Sequence, residues 1–262
     1  MAARAWHRIG DADMTFHLPL MGVGAKPPGF TDYTVDASIV AYYMFETSPG
    51  IDKSGTGDNH VDDGTNDPNA DTTNFKQGTQ SADFIAANVD VLYEADATLT
   101  ADFPGKEVSD SFTALAWIQL DNNAGRTVCA KYIGTNIWRF QTDGGGALYA
   151  QVYYSDGGGG NVSGSANTAL TADGSTWHHV AMVLDGTANK IYLYLDGTVN
   201  NGTGLDFDHT LLTASNSYFS IGGHAGGGVH MEGRIDELAV FKRALSSTEI
   251  NEIIDHGLAG DR

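Results

Sequence analysis

The chain has 262 residues, of which 41% are hydrophobic and 18% charged, with 33 glycines, a composition typical of an all-β domain with many turns. The formal net charge of −19 argues against nucleic-acid binding through a basic surface. A single cysteine, Cys129, excludes an intrachain disulfide, and no apolar run is long enough to cross a membrane.

Residues 1–30 are predicted to form an arm ahead of a domain that spans residues 31–262. The arm is slightly positive, whereas the rest of the chain is strongly acidic. Its apolar side chains exceed what a solvated tail needs, which favours docking on a partner over a flexible leader. The residues predicted to dock are Trp6, Phe16, Leu18 and Leu20.

Most predicted strands follow from β-branched and aromatic runs or from strict alternation. Residues 111–120 are apolar on both faces, which predicts a central strand. Residues 147–155 alternate, so that Tyr149 and Tyr153 are predicted to lie on the face opposite Leu148. Further strands are predicted at residues 39–45, 126–132, 137–142, 218–223 and 233–241.

A hairpin at residues 177–197 organises the rest of the prediction. Its first strand is apolar on both faces and is predicted to lie deep in a sheet. Its second strand alternates, which predicts that Tyr192 and Tyr194 face outward. Asp-Gly pairs provide the turn between the two strands and the turn that follows them.

The clearest helical pattern follows at the carboxyl end. Ser246 and Glu249 have the spacing of a capping box, and Gly257 stands where a helix ends. Three isoleucines at helical spacing predict the buried stripe, namely Ile250, Ile253 and Ile254.

Several of these segments together resemble the laminin-G-like family of concanavalin A-like jelly rolls. The hairpin contains W-H-H-V-A, D-G and L-Y-L-D-G in the order typical of that family. The segments G-T-Q-S-A-D-F, F-T-A-L-A-W and G-R-I-D-E are similar to other strands of the family. The resemblance covers residues 40–258 and implies one antiparallel β-sandwich of the jelly-roll type, with a short carboxy-terminal helix. It predicts the fold well and the function poorly.

The carboxylates do not have the pattern of a glycosidase. Retaining glucanases of this fold place carboxylates at alternate positions of one strand, and no such spacing occurs here. The nearest group is Glu232, Asp236 and Glu237, and the last two coincide with the structural I-D-E motif of the family. The pair His178 and His179 falls in a core strand, which favours packing over catalysis. The protein is therefore predicted not to be an enzyme.

Calcium binding is predicted at the loop that follows the first strand. Residues 52–71 are rich in aspartate and asparagine, whose oxygens suit a hard cation. In laminin-G-like folds this loop lies near the closing I-D-E strand, which implies that Asp52, Asn59 and Asp236 converge on one structural ion. The alternative is that these acids only solvate a surface loop.

Carbohydrate binding needs aromatic faces that stack on sugar rings and polar groups that meet their hydroxyls. An aromatic and glycine-rich region provides both. The candidate residues are Trp138, Tyr149, Tyr153, Tyr154 and Asp156. The alternative is that these rings serve packing alone, as aromatic residues of β-sandwiches often do.

These features predict a lectin-like binding or adhesion module displayed on a larger assembly. The amino terminus does not resemble a secretory signal, because Asp11 and Asp13 interrupt its apolar run. Together with the apolar arm and the acidic domain, this favours a phage protein, either capsid decoration or fibre, attached to a virion protein and exposed on the virion surface. The alternative is a bacterial carbohydrate-binding or adhesin module that is extracellular or on the cell surface and serves polysaccharide use. Both allow a cell-surface glycan as ligand, and homo-oligomerisation is left open.

Overall fold

A computed structural model describes residues 31–46, 67–107, 110–133, 135–224 and 229–260. In these ranges two antiparallel sheets pack face to face, and one α-helix, α1 (Ser247–His256), follows them. This architecture confirms the predicted all-β sandwich of the jelly-roll type with a short carboxy-terminal helix. The predicted arm and its docking residues Trp6, Phe16, Leu18 and Leu20 lie outside the described residues.

The strands are β1 (Ile39–Tyr43), β2 (Asn69–Asp71), β3 (Ser81–Phe84), β4 (Leu92–Glu94), β5 (Phe112–Leu120), β6 (Thr127–Ile133), β7 (Trp138–Thr142), β8 (Ala147–Tyr154), β9 (Gly160–Ala169), β10 (Trp177–Asp185), β11 (Lys190–Leu195), β12 (Thr198–Val199), β13 (Leu205–Asp206), β14 (Tyr218–Ile221) and β15 (Gly233–Phe241). The larger sheet has the order β12-β11-β10-β5-β15-β3-β2, with β1 paired to β15 and β13 to β11. The smaller sheet has six strands in the order β4-β14-β6-β7-β8-β9.

Strand β5 lies at the centre of the nine-stranded sheet, and all nine of its residues are buried. It pairs with β10 on one side and with β15 on the other. The predicted hairpin is confirmed, because β10 and β11 pair antiparallel from Val180–Leu195 to Asp185–Lys190. Its turn is held by the Asp185 carboxylate, which accepts the backbone N–H groups of Thr187 and Ala188.

Helix α1 covers the outer face of the nine-stranded sheet. Ile250 and Ile253 of the helix pack there in a second hydrophobic cluster, separate from the core between the sheets. Tyr194 lies on the outward face as predicted, but it belongs to this cluster and is only 6% exposed. The strand alternates as predicted, but the helix buries the face that the alternation leaves outside.

The predicted capping box is present at the start of α1. Ser246 accepts the backbone N–H of Glu249, and the Glu249 carboxylate accepts the backbone N–H of Ser246 at 2.8 Å. After the helix, the carbonyl of Leu258 accepts the backbone N–H of Tyr33 at 2.9 Å, which joins the two ends of the described domain. No helix within the described ranges is long and apolar enough to cross a membrane.

Strand β15 contains the I-D-E motif and an irregular register. The strand opens at Gly233, where a side chain is excluded because a Cβ atom would lie 2.0 Å from the carbonyl oxygen of Gln119. A bulge follows between Asp236 and Ala239, and Glu237 adopts a positive φ of 50° there. The bulge leaves both carboxylates of the motif buried.

The buried carboxylate of Asp236 holds a neighbouring chain segment. Its Oδ2 atom accepts the backbone N–H groups of Lys76 at 2.8 Å and Gln77 at 3.0 Å. Its Oδ1 atom accepts the backbone N–H of Glu237 at 2.9 Å. Burial nevertheless raises the pKa of Asp236 to about 7, because removal from water outweighs the three donated hydrogen bonds.

A buried ion pair joins β6 to the loop after β4. The Lys131 ammonium, which is fully buried, donates to the Asp96 carboxylate and, at 2.7 Å, to the carbonyl of Ser217. Burial lowers the pKa of Lys131, and the bond to Asp96 opposes that shift. The pair therefore holds this loop against the sheet. Each charge is buried, and the opposite charge of the partner offsets the cost of removing it from water.

Replacing Asp96 by asparagine is expected to destabilise the fold by about 3 kcal/mol, because it leaves the Lys131 charge buried without a counter-charge. Urea unfolding of Asp96→Asn, Lys131→Met and the double variant checks this through a double-mutant cycle. The double variant should lose less stability than the sum of the single variants. Additive losses would contradict the coupling.

Replacing Asp236 by asparagine is expected to change how stability depends on pH. An unfolded aspartate titrates near pH ~4, so the raised pKa means that the folded state binds the Asp236 proton more tightly. The wild-type free energy of unfolding should therefore fall as pH rises from about 4 to about 7, relative to Asp236→Asn, which lacks this titration. Urea unfolding of both proteins across that range is the measurement. Parallel pH profiles for the two proteins would rule out the raised pKa.

Candidate functional site

The outer face of the six-stranded sheet is the candidate binding site. On β7, Trp138 and Phe140 point into the core, so Arg139 and Gln141 between them lie on the outer face. The register places Arg139 opposite Gln151 of β8, and Gln141 opposite Tyr149. Alternation on β8 adds one more tyrosine to the same face.

We call this surface the polar sheet face. It consists of Tyr132, Arg139, Gln141, Tyr149, Gln151 and Tyr153. Helix α1 covers the outer face of the other sheet, and no described helix covers this one. Serine and asparagine side chains of the edge strand β9 continue the face beyond β8.

Arg139 lies at the centre of the polar sheet face. Its guanidinium carbon is 5.3 Å from the ring centre of Tyr132 and 5.7 Å from that of Tyr149, so both rings contact the cation. Its Nε atom is buried and has no hydrogen-bond partner. The two aromatic rings therefore contact the cation, and its Nε–H donates no hydrogen bond within the described residues.

Two glutamines provide acceptors on either side of Arg139. Gln141 and Gln151 are each only 8% exposed, and the Oε1 atom of each is buried without a hydrogen-bond partner. The amide of Gln151 is oriented by Asn161 of β9, whose Oδ1 atom accepts its Nε2–H at 2.8 Å. Buried polar atoms are nearly always paired in proteins, so two unpaired acceptors on one face point to a ligand that pairs them.

The remaining aromatic rings of the face hold one another in place. Burial raises the pKa of Tyr153, and the neighbouring hydroxyl of Tyr132 adds to that shift. His224 stacks on the Tyr132 ring with 4.7 Å between ring centres and 18° between planes. The pKa of His224 is lowered by burial and by the nearby Arg139, so this ring is neutral at physiological pH.

The structure separates the five predicted carbohydrate-binding residues into three sets. Tyr149 and Tyr153 lie together on the polar sheet face. Trp138 is fully buried in the core, where its Nε1–H donates to the carbonyl of Pro104 at 3.0 Å. Its indole is out of reach of any sugar, so the prediction for Trp138 is wrong.

Tyr154 and Asp156 form a separate group away from the polar sheet face. Tyr154 packs against the core and stacks on His209, with ring centres 3.8 Å apart. Asp156 binds the same imidazole, with 2.9 Å between its Oδ2 atom and His209 Nδ1. The Tyr154 ring and the Asp156 carboxylate thus both contact His209 and do not belong to the polar sheet face.

The predicted calcium ligands are not brought together by the described residues. Asp52 and Asn59 lie outside them. The buried Asp236 carboxylate accepts three backbone N–H groups, an arrangement that suits a structural anchor better than a cation ligand. Within the described ranges, no group of three or more His, Cys, Asp or Glu side chains is arranged to hold a metal. Calcium at the first-strand loop stays a prediction.

The carboxylates closest to a glycosidase pattern have structural contacts. Glu232 accepts the backbone N–H of Ala86 at 2.9 Å. Buried Glu237 accepts the hydroxyl of Tyr42 at 2.6 Å.

The histidine pair of the hairpin is likewise engaged in packing. His178 bonds Asp196 through Nδ1 at 2.8 Å and accepts the backbone N–H of Thr171 through Nε2. His179 is buried edge-on against Trp117, with ring centres 5.2 Å apart. These contacts agree with the expected structural role of the pair.

Four residues of the polar sheet face are absent from the predicted site, and a signal for them exists. Arg139 and Gln141 alternate with Trp138 and Phe140 in the sequence. Once the apolar pair is assigned to the core, the polar pair must face outward beside Tyr149. The other two, Tyr132 and Gln151, follow from the same alternation on β6 and β8.

Solved structures with the same fold include an arabinanase domain and two neurotoxin domains. Domain 4 of AbnA, a GH43 extracellular arabinanase from Geobacillus stearothermophilus in complex with arabinotriose, is 16% identical with a TM-score of 0.58, over 85% of this chain and 98% of that one. The botulinum neurotoxin serotype D binding domain is 12% identical with a TM-score of 0.59, over 86% of this chain and 52% of that one. The botulinum neurotoxin serotype D ligand-binding domain in complex with N-acetylneuraminic acid is 12% identical with a TM-score of 0.59, over 83% of this chain and 50% of that one.

The chain spans about half the length of these neurotoxin domains. At these identities the likeness shows the fold alone. No curated protein matches the sequence significantly. Residues 94–251, more than half of the chain, match the family described as the concanavalin A-like lectin/glucanases superfamily. The chain therefore belongs to the concanavalin A-like lectin/glucanase superfamily.

Proposed function

We propose that this protein is a non-catalytic carbohydrate-binding module that holds a sugar on the polar sheet face. The observation that carries the proposal is the pair of buried, unpartnered Oε1 atoms of Gln141 and Gln151 beside partly buried tyrosine side chains. Buried acceptors are nearly always hydrogen-bonded in proteins, so these two atoms support a ligand that donates to them.

The chemistry of the face matches the two-sided character of a sugar. The C–H face of a pyranose or furanose ring is apolar and packs on an aromatic ring, here Tyr149 or Tyr153. Sugar hydroxyls are hydrogen-bond donors, and the unpaired glutamine oxygens are acceptors that suit them. The strands fix these side chains in position, so little entropy is lost on binding.

The structural relatives support this reading. One is solved with arabinotriose and another with N-acetylneuraminic acid, and the first is part of an extracellular enzyme. These relatives favour the alternative of an extracellular carbohydrate-binding module over the virion role. The virion role, the docking arm and a calcium-bound loop stay predictions, because the residues on which they depend lie outside the described ranges.

Removing a ring of the polar sheet face is expected to weaken glycan binding. Tyr149→Ala and Tyr153→Ala should each raise the Kd by about fivefold, since an aromatic contact is worth about 1 kcal/mol. Tyr149→Phe should keep most of the affinity, because it retains the ring. A glycan array identifies the ligand, and titration calorimetry with the bound sugar gives the Kd of each variant.

Tyr192→Ala is the matched control, because it removes a partly buried tyrosine from the other sheet. It should leave the Kd unchanged in a sample that melts cooperatively. Equal losses in Tyr192→Ala and Tyr149→Ala would place the sugar elsewhere. A folded wild-type protein that binds nothing on the array would refute the proposed function.

A further inference from the structure

We infer that the sugar held on the polar sheet face is acidic, and that its carboxylate pairs with the guanidinium of Arg139. This inference rests on the proposed function and narrows it to one class of ligand. It is carried by the contacts of Arg139, which differ from those of the other described arginines.

Arg139 is the only arginine in the described ranges that donates no hydrogen bond. Arg234 and Arg243 pair with the carboxylates of Asp71 at 2.6 Å and Asp36 at 2.7 Å. Arg126 donates to the side chain of Asn122 and to a backbone carbonyl. Arg139 lies against two tyrosine rings and has no ion-pair partner among the described residues, although acidic residues outnumber basic ones 33 to 14 in the chain.

No carboxylate of the described residues lies within ion-pair distance of Arg139. The outward side chains around it are tyrosines and glutamines, with serines and asparagine on β9. The guanidinium is partly buried, and its Nε–H has lost water without gaining an acceptor. Leaving a charged donor in this state is unfavourable, so an anionic acceptor that reaches it gains the full charge-assisted hydrogen bond.

The planar guanidinium of Arg139 favours a carboxylate over an anion that lacks two oxygens in one plane. Tyr132 and Tyr149 hold the guanidinium from two sides, and its fork of N–H groups matches the two oxygens of a carboxylate. The net charge of −19 repels anions at long range. An acidic ligand therefore binds here through the short-range contact with Arg139 and not through general attraction.

Two kinds of sugar carry such a carboxylate, namely uronic acids and sialic acids. Each offers the same group beside a ring and hydroxyls, which Tyr149, Gln141 and Gln151 are placed to meet. The experiment separates these sources by using one acidic and one neutral probe from each. The pairs are trigalacturonate with its methyl ester, and 3′-sialyllactose with lactose.

Titration calorimetry with the full chain measures the four Kd values. For at least one pair, the acidic probe should bind about tenfold or more tightly than the neutral one, as a hydrogen bond between charged groups requires. Arg139→Met should abolish this preference and keep the affinity for the neutral probe. Arg139→Lys should restore only part of the preference, because an ammonium lacks the planar fork.

Lys190→Met is the matched control, since it removes one positive charge from β11 of the other sheet. It should keep the full preference. In an NMR titration, the Nε–H resonance of Arg139 should shift with the acidic probe and stay in place with the neutral one.

The outcomes separate the two proposals. Equal affinity of wild type for acidic and neutral probes, or a preference that survives Arg139→Met, would overturn the acidic ligand and leave carbohydrate binding intact. If none of the four probes binds and the array is also negative, both proposals fail together.

Discussion

Burial of strand β5 on both faces is the constraint on which the rest of the molecule depends. All nine of its residues are buried, so both sides of the sheet must be covered. The six-stranded sheet covers one side, and α1 with the segment around Tyr33 covers the other. Helix α1 therefore packs on the outer face of the nine-stranded sheet. Within the described ranges, no helix covers the outer surface of the smaller sheet.

The buried polar groups of the protein differ in whether they have hydrogen-bond partners. The Asp236 carboxylate accepts three backbone N–H groups, and the ammonium of Lys131 is paired with a carboxylate and a carbonyl. These groups are satisfied within the fold and stabilise loops against the sheets. On the polar sheet face, by contrast, Gln141, Gln151 and Arg139 each keep a buried atom without a partner. Buried polar atoms are nearly always hydrogen-bonded in proteins, and this is why the polar sheet face supports the proposal of a ligand there.

The sequence predicts the elements of this fold better than the face that carries the site. The hairpin and the capping box of Ser246 are local patterns, and both form as predicted because local geometry and packing agree. Strand β9 (Gly160–Ala169) escapes prediction, since its glycine, serine and asparagine residues have low strand propensity. It forms because β8 offers a free edge for pairing.

The misplaced site residues have a common physical cause. Aromatic residues look alike in composition, whether they fill a core or bind a ligand, and only their phase along the strand separates Trp138 from Tyr149. Tyr194 shows the second difficulty. Its phase is predicted correctly, but the sequence gives no sign that α1 returns over that face. Long-range packing decides which of two alternating faces is solvent-exposed, and single-strand patterns carry no information about it.

The backbone hydrogen bond between Tyr33 and Leu258 has a consequence for how the module is presented. Both residues belong to the cluster under α1, so the chain enters and leaves the described domain on the helix-covered side. The polar sheet face points the opposite way. A group attached next to Tyr33 or Leu258 is therefore held on the side of the described domain opposite to the polar sheet face.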